Sequence, residues 1–288
     1  MSRCLVTGHR GFIGSRLYKK LKEEGHDVLG VDFKDTPMNC ITTVLKEDFN
    51  MFHPKYFNFK PEYIFHTAYT TRVPISIEDP VGTSFNNIYA TSILLNFARK
   101  VGAKRVIFSS SSSVVGDGKE PLSPYALQKL FCEKECRLYS KLYGLDTVSL
   151  RYFNVYSEDQ IKKRKISTLL CEWMFRLKRG RTLYISGDGE QRRDMTHVSD
   201  VVDANIFIMN QHQDFNGEVF DVGTGSNISI NEIKEVVKKH NPNAVIKYSN
   251  PREGDVLFTK ADVSKMRKLG WKASVNIFDG INACFKKD

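Results

Sequence analysis

What the sequence lacks narrows it first. Its six cysteines (Cys4, Cys40, Cys132, Cys136, Cys171 and Cys284) include no CxxC pair, so neither a metal site nor a thiol–disulfide motif is expected. No apolar run approaches the ~20 residues of a membrane-spanning helix, and the start, MSRCLVTG, enters a strand pattern without a signal-peptide layout. The resulting expectations are reduced thiols in a cytoplasmic compartment, no metal and no membrane. Internal repeats and disordered linkers are absent too; the nearest thing to low complexity is five consecutive serines, Ser109–Ser113. Acidic residues are in the minority, 33 against 43 Lys plus Arg, for a formal charge of +10. That excess suggests an acidic partner, whether nucleic acid, a membrane surface or a phosphorylated small molecule. The basic runs Ile161–Lys165 and Arg176–Arg181 have little aromatic interleaving and read as solvated faces.

What is present is enough chain for a sizeable core: 288 residues, 41% of them hydrophobic. RCLVT is a short apolar strand, GHRGFIG a glycine turn, and SRLYKKLKEEG a helical pattern stopped by Gly25. HDVLGVD then reads as a second buried strand ending at Asp32. Strand, tight turn, helix and strand make a βαβ unit of a parallel sheet. Further strands are expected in PEYIFHTA, KRVIFSS and DTVSLRYF, with helices at Ser84–Val101 and Tyr125–Tyr143. This alternation predicts an α/β fold, a Rossmann-type doubly wound sheet over residues 1–155 with a returning segment about 190–212. Residues 156–288 are expected to form mainly a smaller C-terminal lobe. Its pattern is a helix across Ser167–Arg179, a strand in RTLYISG, a turn-rich GDGEQRRD, a helix in VSDVVDANIFIMNQ, and another in SINEIKEVVKKH capped by Ser229 with Glu232 three residues on.

Gly8, Gly11 and Gly14 form GxxGxxG between a strand and a helix. The spacing suits a turn needing positive φ, a backbone that must approach a pyrophosphate, and a helix packed closely on a strand. Asp32, at the end of the second strand, is the carboxylate that would accept ribose hydroxyls and repel a 2′-phosphate, favouring NAD over NADP. Arg10 and Lys34 are cations near enough to soften that preference.

Tyr125 and Lys129 are four apart on a predicted helix and share one face. A free phenol titrates near ~10, too high for a base at neutral pH, but a fixed ammonium beside it would favour the phenolate. A serine-tipped strand upstream supplies a hydroxyl able to share the proton. Isolated, YxxxK is a common accident; after the serines of a nucleotide-binding sheet it reads as a proton-transfer site. His66 and His197 read as structural histidines.

TGHRGFIG, Asp32, HTAY (His66–Tyr69), SSSSSVVG, YALQK, RYFNVY (Arg151–Tyr156), GDGEQRRD (Gly187–Asp194) and PREGD (Pro251–Asp255) occur in family order. In this combination the chain resembles the extended short-chain dehydrogenase/reductases, specifically the NAD-dependent sugar-nucleotide epimerase/dehydratase branch. The resemblance implies Ser111, Tyr125 and Lys129 as catalytic residues. It implies cofactor contacts from Gly8, Arg10, Gly11, Phe12, Ile13, Gly14, Asp32, Asp48, Phe49, Ala68, Asn87, Ser109, Tyr125, Lys129 and Tyr152. For substrate it implies Ser111, Asn154, Arg193, Arg252, Asp255 and Thr259, with the arginines forking onto diphosphate oxygens. It also implies a homodimer built on the two helices at Ser84–Val101 and Tyr125–Tyr143.

In that family the dehydratases resemble TDE or SDE where this chain has Ser111-Ser112-Ser113, so dehydration is disfavoured. The resemblance implies reversible oxidation at carbon 4 of a nucleotide sugar and return of hydride to the opposite face: a 4-epimerase of UDP-N-acetylglucosamine, UDP-glucose/galactose or a related sugar. Thr259 stands where related epimerases vary between tyrosine and smaller residues, leaving room for a 2-acetamido group. Two alternatives stay open: an NAD(P)H-dependent 4-keto sugar-nucleotide reductase, and a non-catalytic nucleotide- or RNA-binding relative; binding to nucleic acid is not expected. The chain departs from the family in four places. Ser111 and Tyr125 are only 14 positions apart, VYG reads VVG with Val115, HxAA or HxAG reads HTAY, and Ser157 replaces a glycine.

Overall fold

The computed structural model describes residues 1–32, 59–116, 118, 120–160, 168–251 and 256–286. Asp48, Phe49, Arg252, Asp255, Lys34, Cys40 and the basic run 161–165 fall outside them. The described chain divides into two units: Met1–Val114, Pro121–Arg151 and Val202–Phe220 form the first, and Val115–Glu120, Tyr152–Val201 and Asp221–Asp288 the second.

The first unit is built on β1 (Arg3–Thr7), β2 (Asp27–Val31), β3 (Tyr63–His66), β4 (Arg105–Ser111), β5 (Thr147–Tyr152) and β8 (Glu218–Val222), in the spatial order β2-β1-β3-β4-β5-β8. The sheet is parallel, and the register sets Leu5 of β1 between Leu29 of β2 and Ile64 of β3. Strands covered on both faces carry continuous apolar runs rather than alternation, which is why RCLVT and RVIF are buried almost throughout. Chain order reverses direction at β1, whose neighbours are β2 on one side and β3 on the other. The carboxyl ends of β1 and β3 are therefore a topological switch point, where open α/β sheets bind ligands.

The helices of this unit are α1 (Phe12–Glu23), α2 (Val73–Glu78), α3 (Pro80–Ser84), α4 (Ala90–Val101) and α5 (Pro124–Tyr143). Gly25 turns the chain out of α1 at φ +79°. The helix expected over Ser84–Val101 forms without a break, and within it Phe85–Tyr89 winds as a π turn before α4 begins. That turn carries Asn87 inward, where its amide accepts from Thr70 N at 2.7 Å and donates to Gln128 Oε1 at 2.7 Å. Ser123 caps α5 through Ala126 N at 3.2 Å, and Pro124 follows at the first helical position; both residues favour helix starts. The core joins Leu5, Ile64, Val106, Phe108, Leu94 and Cys132. At its far end Arg105 pairs with Asp146 at 2.5 Å and donates to the carbonyls of Ile208, Gln211 and Gln213.

The second unit has two small sheets. β6 (Leu183–Ser186) runs parallel to β10 (Ile246–Ser249), and β7 (Arg192–Arg193) antiparallel to β9 (Ile228–Ser229). Around them lie α6 (Leu169–Leu177), α8 (Ile230–His240), α9 (Ser264–Leu269) and α10 (Ile277–Phe285); α7 (Val198–Met209) begins in this unit, and from Val202 on it belongs to the first. The capping box at Ser229 and Glu232 forms with both reciprocal bonds. β8 and β10 carry no strong signal in the sequence: EVFDV is short, and IKYS is largely exposed and gains its order from pairing with β6. No helix among the described residues is long and apolar enough to cross a membrane.

Candidate active site

The glycine turn leaves β1 at Gly8, φ +73°, whose amide donates to Val31 O at 2.7 Å. A Cβ on Gly8 would stand 2.8 Å from the Ala68 backbone, and one on Gly14 would collide with Gly8 O and Thr67 Oγ1. Helix, turn and the end of β3 are thus in contact at distances that exclude a side chain. α1 begins at Gly11 with no side-chain cap on its first amides, leaving the positive end of the helix for an anion. Asp32 is buried at the end of β2, and its carboxylate accepts the Arg10 amide at 3.1 Å. Open helix amides, a backbone cradle and a carboxylate one strand away are a donor and acceptor set that fits the pyrophosphate and ribose of a dinucleotide.

At the same edge of the sheet, β4 ends on Ser111. The short Ser112–Val114 turn follows, and α5 starts with Tyr125 in its first turn. The Ser111 hydroxyl acts on the Tyr125 phenol in the direction that favours its charged form, and it accepts from Ser113 Oγ at 2.9 Å and Ser113 N at 3.2 Å. The Tyr125 amide is anchored on Ser76 Oγ at 3.0 Å. One turn on, Lys129 is buried and donates from Nζ to Ser109 O at 2.5 Å. Burial pulls its ammonium down to about 7, against the opposing influence of Cys132, Glu133 and Cys136. Burial also pushes the Tyr125 phenol above its ordinary value, with the Ser111 hydrogen bond and the Arg72 charge working the other way. Arg72, before α2, holds a positive φ of +106°, a conformation rarely adopted by a residue with a side chain.

The layer under these groups is polar and paired. Glu133 accepts from Ser110 Oγ at 2.5 Å and takes the Arg151 fork at 2.8 and 2.7 Å. His66 sits between Thr7 Oγ1 at 2.8 Å and Thr91 Oγ1 at 3.0 Å, and burial first, then Lys129, pushes its imidazole down to about 3. It is a neutral strut. Asn87 and Gln128 lock the loop after β3 to α3 and α5, Gln128 donating to Thr83 and Ser84 at 3.0 Å.

In the second unit Asn154 turns the chain at φ +35°. Its amide donates to Asp194 O at 2.8 Å and Thr259 Oγ1 at 3.2 Å, so two of the residues assigned to substrate lie together. Arg193 is half-buried on β7, next to Arg192, whose guanidinium is committed to Asn227 and Glu232. Beneath them Asp194 is fully buried and accepts from Thr224 N, Thr224 Oγ1, Gly225 N and Ala261 N at 2.8–3.1 Å. Burial raises its carboxyl, and these four donors oppose the rise.

Ser109 and Tyr152 are buried at the ends of β4 and β5, while Phe12 and Ile13 open α1. Asn87 turns its side chain into the protein. Four residues carried no role in the sequence reading: Ser113, Arg72, Asp194 and Tyr69, although HTAY marked Tyr69 as a departure. Arg72 had no local signal, because its influence on Tyr125 depends on where the chain before α2 is carried.

Comparison with known proteins places this arrangement among relatives. The model of the NAD dependent epimerase/dehydratase family matches residues 4–223. A putative UDP-glucose 4-epimerase of Methanocaldococcus jannaschii is 33% identical, with 96% of this chain and 95% of the relative aligned. The crystal structure of a Thermotoga maritima UDP-glucose 4-epimerase with UDP-glucose superposes with a TM-score of 0.88 at 31% identity, covering 98% of this chain and 97% of the other. A UDP-N-acetylglucosamine 4-epimerase of Methanobrevibacter ruminantium, in complex with UDP-N-acetylmuramic acid, gives a TM-score of 0.86 at 28% identity over 99% and 97% of the two chains.

The buried lysine sets a pH dependence. With Lys129 near 7 in the fold and ~10.4 when exposed, the unfolded chain binds more protons between those values. The destabilisation from burying the ammonium is therefore full below pH 7 and relieved as pH rises. Urea unfolding of the wild type relative to Lys129→Met should show a stability difference shifting in favour of the wild type between about pH 7 and about pH 9.5. A difference independent of pH would contradict the buried amine.

Proposed function

The chain belongs to the NAD-dependent epimerase/dehydratase family, and on that premise we propose that it inverts carbon 4 of a UDP-linked sugar with Tyr125 as its base. It is an NAD-dependent enzyme, an isomerase of nucleotide sugars. When bound, NAD supplies a reversible hydride acceptor and a positive charge. The residues that would hold it are the turn Gly8–Gly14 on the pyrophosphate, Asp32 on the adenosine ribose and Lys129 on the second ribose. Asp48 is assigned to the adenine, and Phe49 to the cofactor.

Ser111 would hold the substrate hydroxyl and pass hydrogen-bonding to Tyr125. Tyr125 takes the proton of the carbon-4 hydroxyl as that carbon becomes a ketone, then returns it when the ketone is reduced from the other face. The two half-reactions cancel, so no net oxidation occurs. Lys129 keeps a positive charge close to the phenolate that forms. Asn154, Arg193 and Arg252 are assigned to the diphosphate, Asp255 to the uridine ribose, and Thr259 to the sugar. A firm grip on the nucleotide keeps the ketone in place while the sugar turns about its diphosphate. The observation carrying this reading is the meeting of Ser111, at the end of β4, with Tyr125, in the first turn of α5, at the edge where the glycine turn leaves β1. The shared cluster of Asn154, Asp194 and Thr259 supports the substrate assignments.

A second copy of the chain completes the proposal. Leu127, Phe131, Leu138 and Leu142 recur along one side of α5 and are 48–59% exposed, an apolar stripe suited to a homodimer. The free thiols Cys4, Cys132, Cys136, Cys171 and Cys284 suit a reducing, cytoplasmic setting.

Proton NMR of UDP-N-acetylglucosamine with the purified protein and catalytic NAD should develop a galacto-configured anomeric signal that reaches equilibrium without consuming cofactor. Tyr125→Phe should slow its appearance ~10²–10⁴-fold, the range of general acid–base catalysis. No new signal with this or any other UDP-hexose would sink the reading. Thr259→Tyr should lose activity on UDP-N-acetylglucosamine while keeping most of it on UDP-glucose; equal loss on both would remove Thr259 as the residue making room for the acetamido group. Sedimentation should find a dimer for the wild type and a monomer for Leu138→Glu.

A further inference from the structure

Tyr69 stands where the family pattern HxAA or HxAG has a small residue, and its ring lies against Lys129. The ammonium is 3.3 Å from the centre of the Tyr69 ring, against 4.7 Å for Phe108 and 6.0 Å for Tyr125. The same ring meets Tyr125 edge-on, with centroids 5.8 Å apart and planes at 80°. Its hydroxyl lies 3.9 Å from Cys132 Sγ, and that thiol is 3.5 Å from Thr91 Oγ1. The ring is thus fixed from the α5 side and touches both members of the tyrosine–lysine pair.

The face of an aromatic ring is its negative side, and it attracts a cation most where water is excluded. Lys129 is buried and has lost its hydration. The other groups around it are already committed. Glu133, on α5, is held by Arg151 and Ser110. His66, on β3, is bonded on both ring nitrogens and kept neutral by burial. Cys132 and Cys136, also on α5, are thiols that burial keeps protonated. From β4, Phe108 adds a more distant ring and Ser109 a carbonyl. Direct support for the charge comes from the Ser109 carbonyl on one side and the Tyr69 face on the other.

We propose that Tyr69 is a positioning residue of the active site: its face holds the Lys129 ammonium in the protonated, placed state, and its edge sets the Tyr125 ring. The proposal rests on the reading of Tyr125 as base and Lys129 as its partner. It predicts a graded electrostatic effect that a space-filling role would not produce. Replacing Tyr69 by phenylalanine, then by phenylalanines carrying one, three and five fluorines, keeps the ring's outline while cancelling its negative face.

In the protein as purified, with ¹³C-labelled lysine and the Lys129 resonance assigned through Lys129→Met, the Lys129 midpoint should be retained in Tyr69→Phe. It should fall stepwise with fluorination, by about one pH unit at full substitution. Tyr69→Leu should lower it similarly. In the same series kcat at neutral pH should decline in step with the midpoint while KM for the nucleotide sugar stays within about twofold. A Lys129 midpoint that ignores fluorination overturns the proposal, and because the fluorinated rings share the phenylalanine outline, that test survives even if Tyr69→Leu does not fold. The titration needs no turnover. A stepwise shift without epimerisation would refute the reaction and leave Tyr69 in its role; epimerisation with an unmoved midpoint would do the reverse.

Discussion

A lysine ammonium buried at the edge of a sheet is the constraint on which this molecule is organised. Lys129 can keep a charge there only where something replaces its lost water, and the replacements come from three directions: a carbonyl of β4, the ring of Tyr69 after β3, and the acidic end of the layer below it on α5. Each must arrive at the right height along its own element. The Ser123–Pro124 start of α5 fixes the lysine's height, since one cap and one proline leave the helix a single place to begin. The parallel register of β3 and β4 fixes the other two.

The same logic of compensated burial repeats away from the site. Glu133 is buried under Lys129 but shared between Arg151 and Ser110, so it adds negative potential without seizing the ammonium. Asp194 in the second unit is surrounded by four donors from Thr224, Gly225 and Ala261. Arg105 and Asp146 close the far end of the first unit. Buried charges of this kind are costly when unpaired, and within each unit their pairing fixes the loops that supply the partners. A 4-epimerase needs such fixed loops on the nucleotide side, because the sugar must turn while the rest stays still.

Close backbone approach is the second device. Gly8 and Gly14 bring the start of α1 against the end of β3, where any side chain would strike Ala68, Thr67 or the Gly8 carbonyl. The first amides of α1 carry no side-chain cap. The glycine turn and the start of the loop carrying Tyr69 are therefore packed directly against each other.

The βαβ opening, the glycine turn, Asp32, the serine-tipped strand and the Tyr125–Lys129 spacing could all be read from the chain, because each is local: a few residues fix a period, a turn or a helix face. The capping box at Ser229 belongs to the same class, and so does the family, whose motifs stand in order along the sequence. The helix over Ser84–Val101 could be read from its periodicity, but not the π turn at Phe85–Tyr89 within it. The π turn there accompanies Asn87's bonds with Thr70 and Gln128, residues 17 and 41 positions away. β10 was illegible for a related reason, since an exposed IKYS is ordered by β6 rather than by its own pattern. Sequence alone determined which residues are candidates for proton transfer. Tertiary structure decided what surrounds them: Tyr69 over the ammonium, Arg72 toward the phenol, and burial moving both titrations. Those effects depend on distance and lost solvent, and neither is a property of neighbours in the chain.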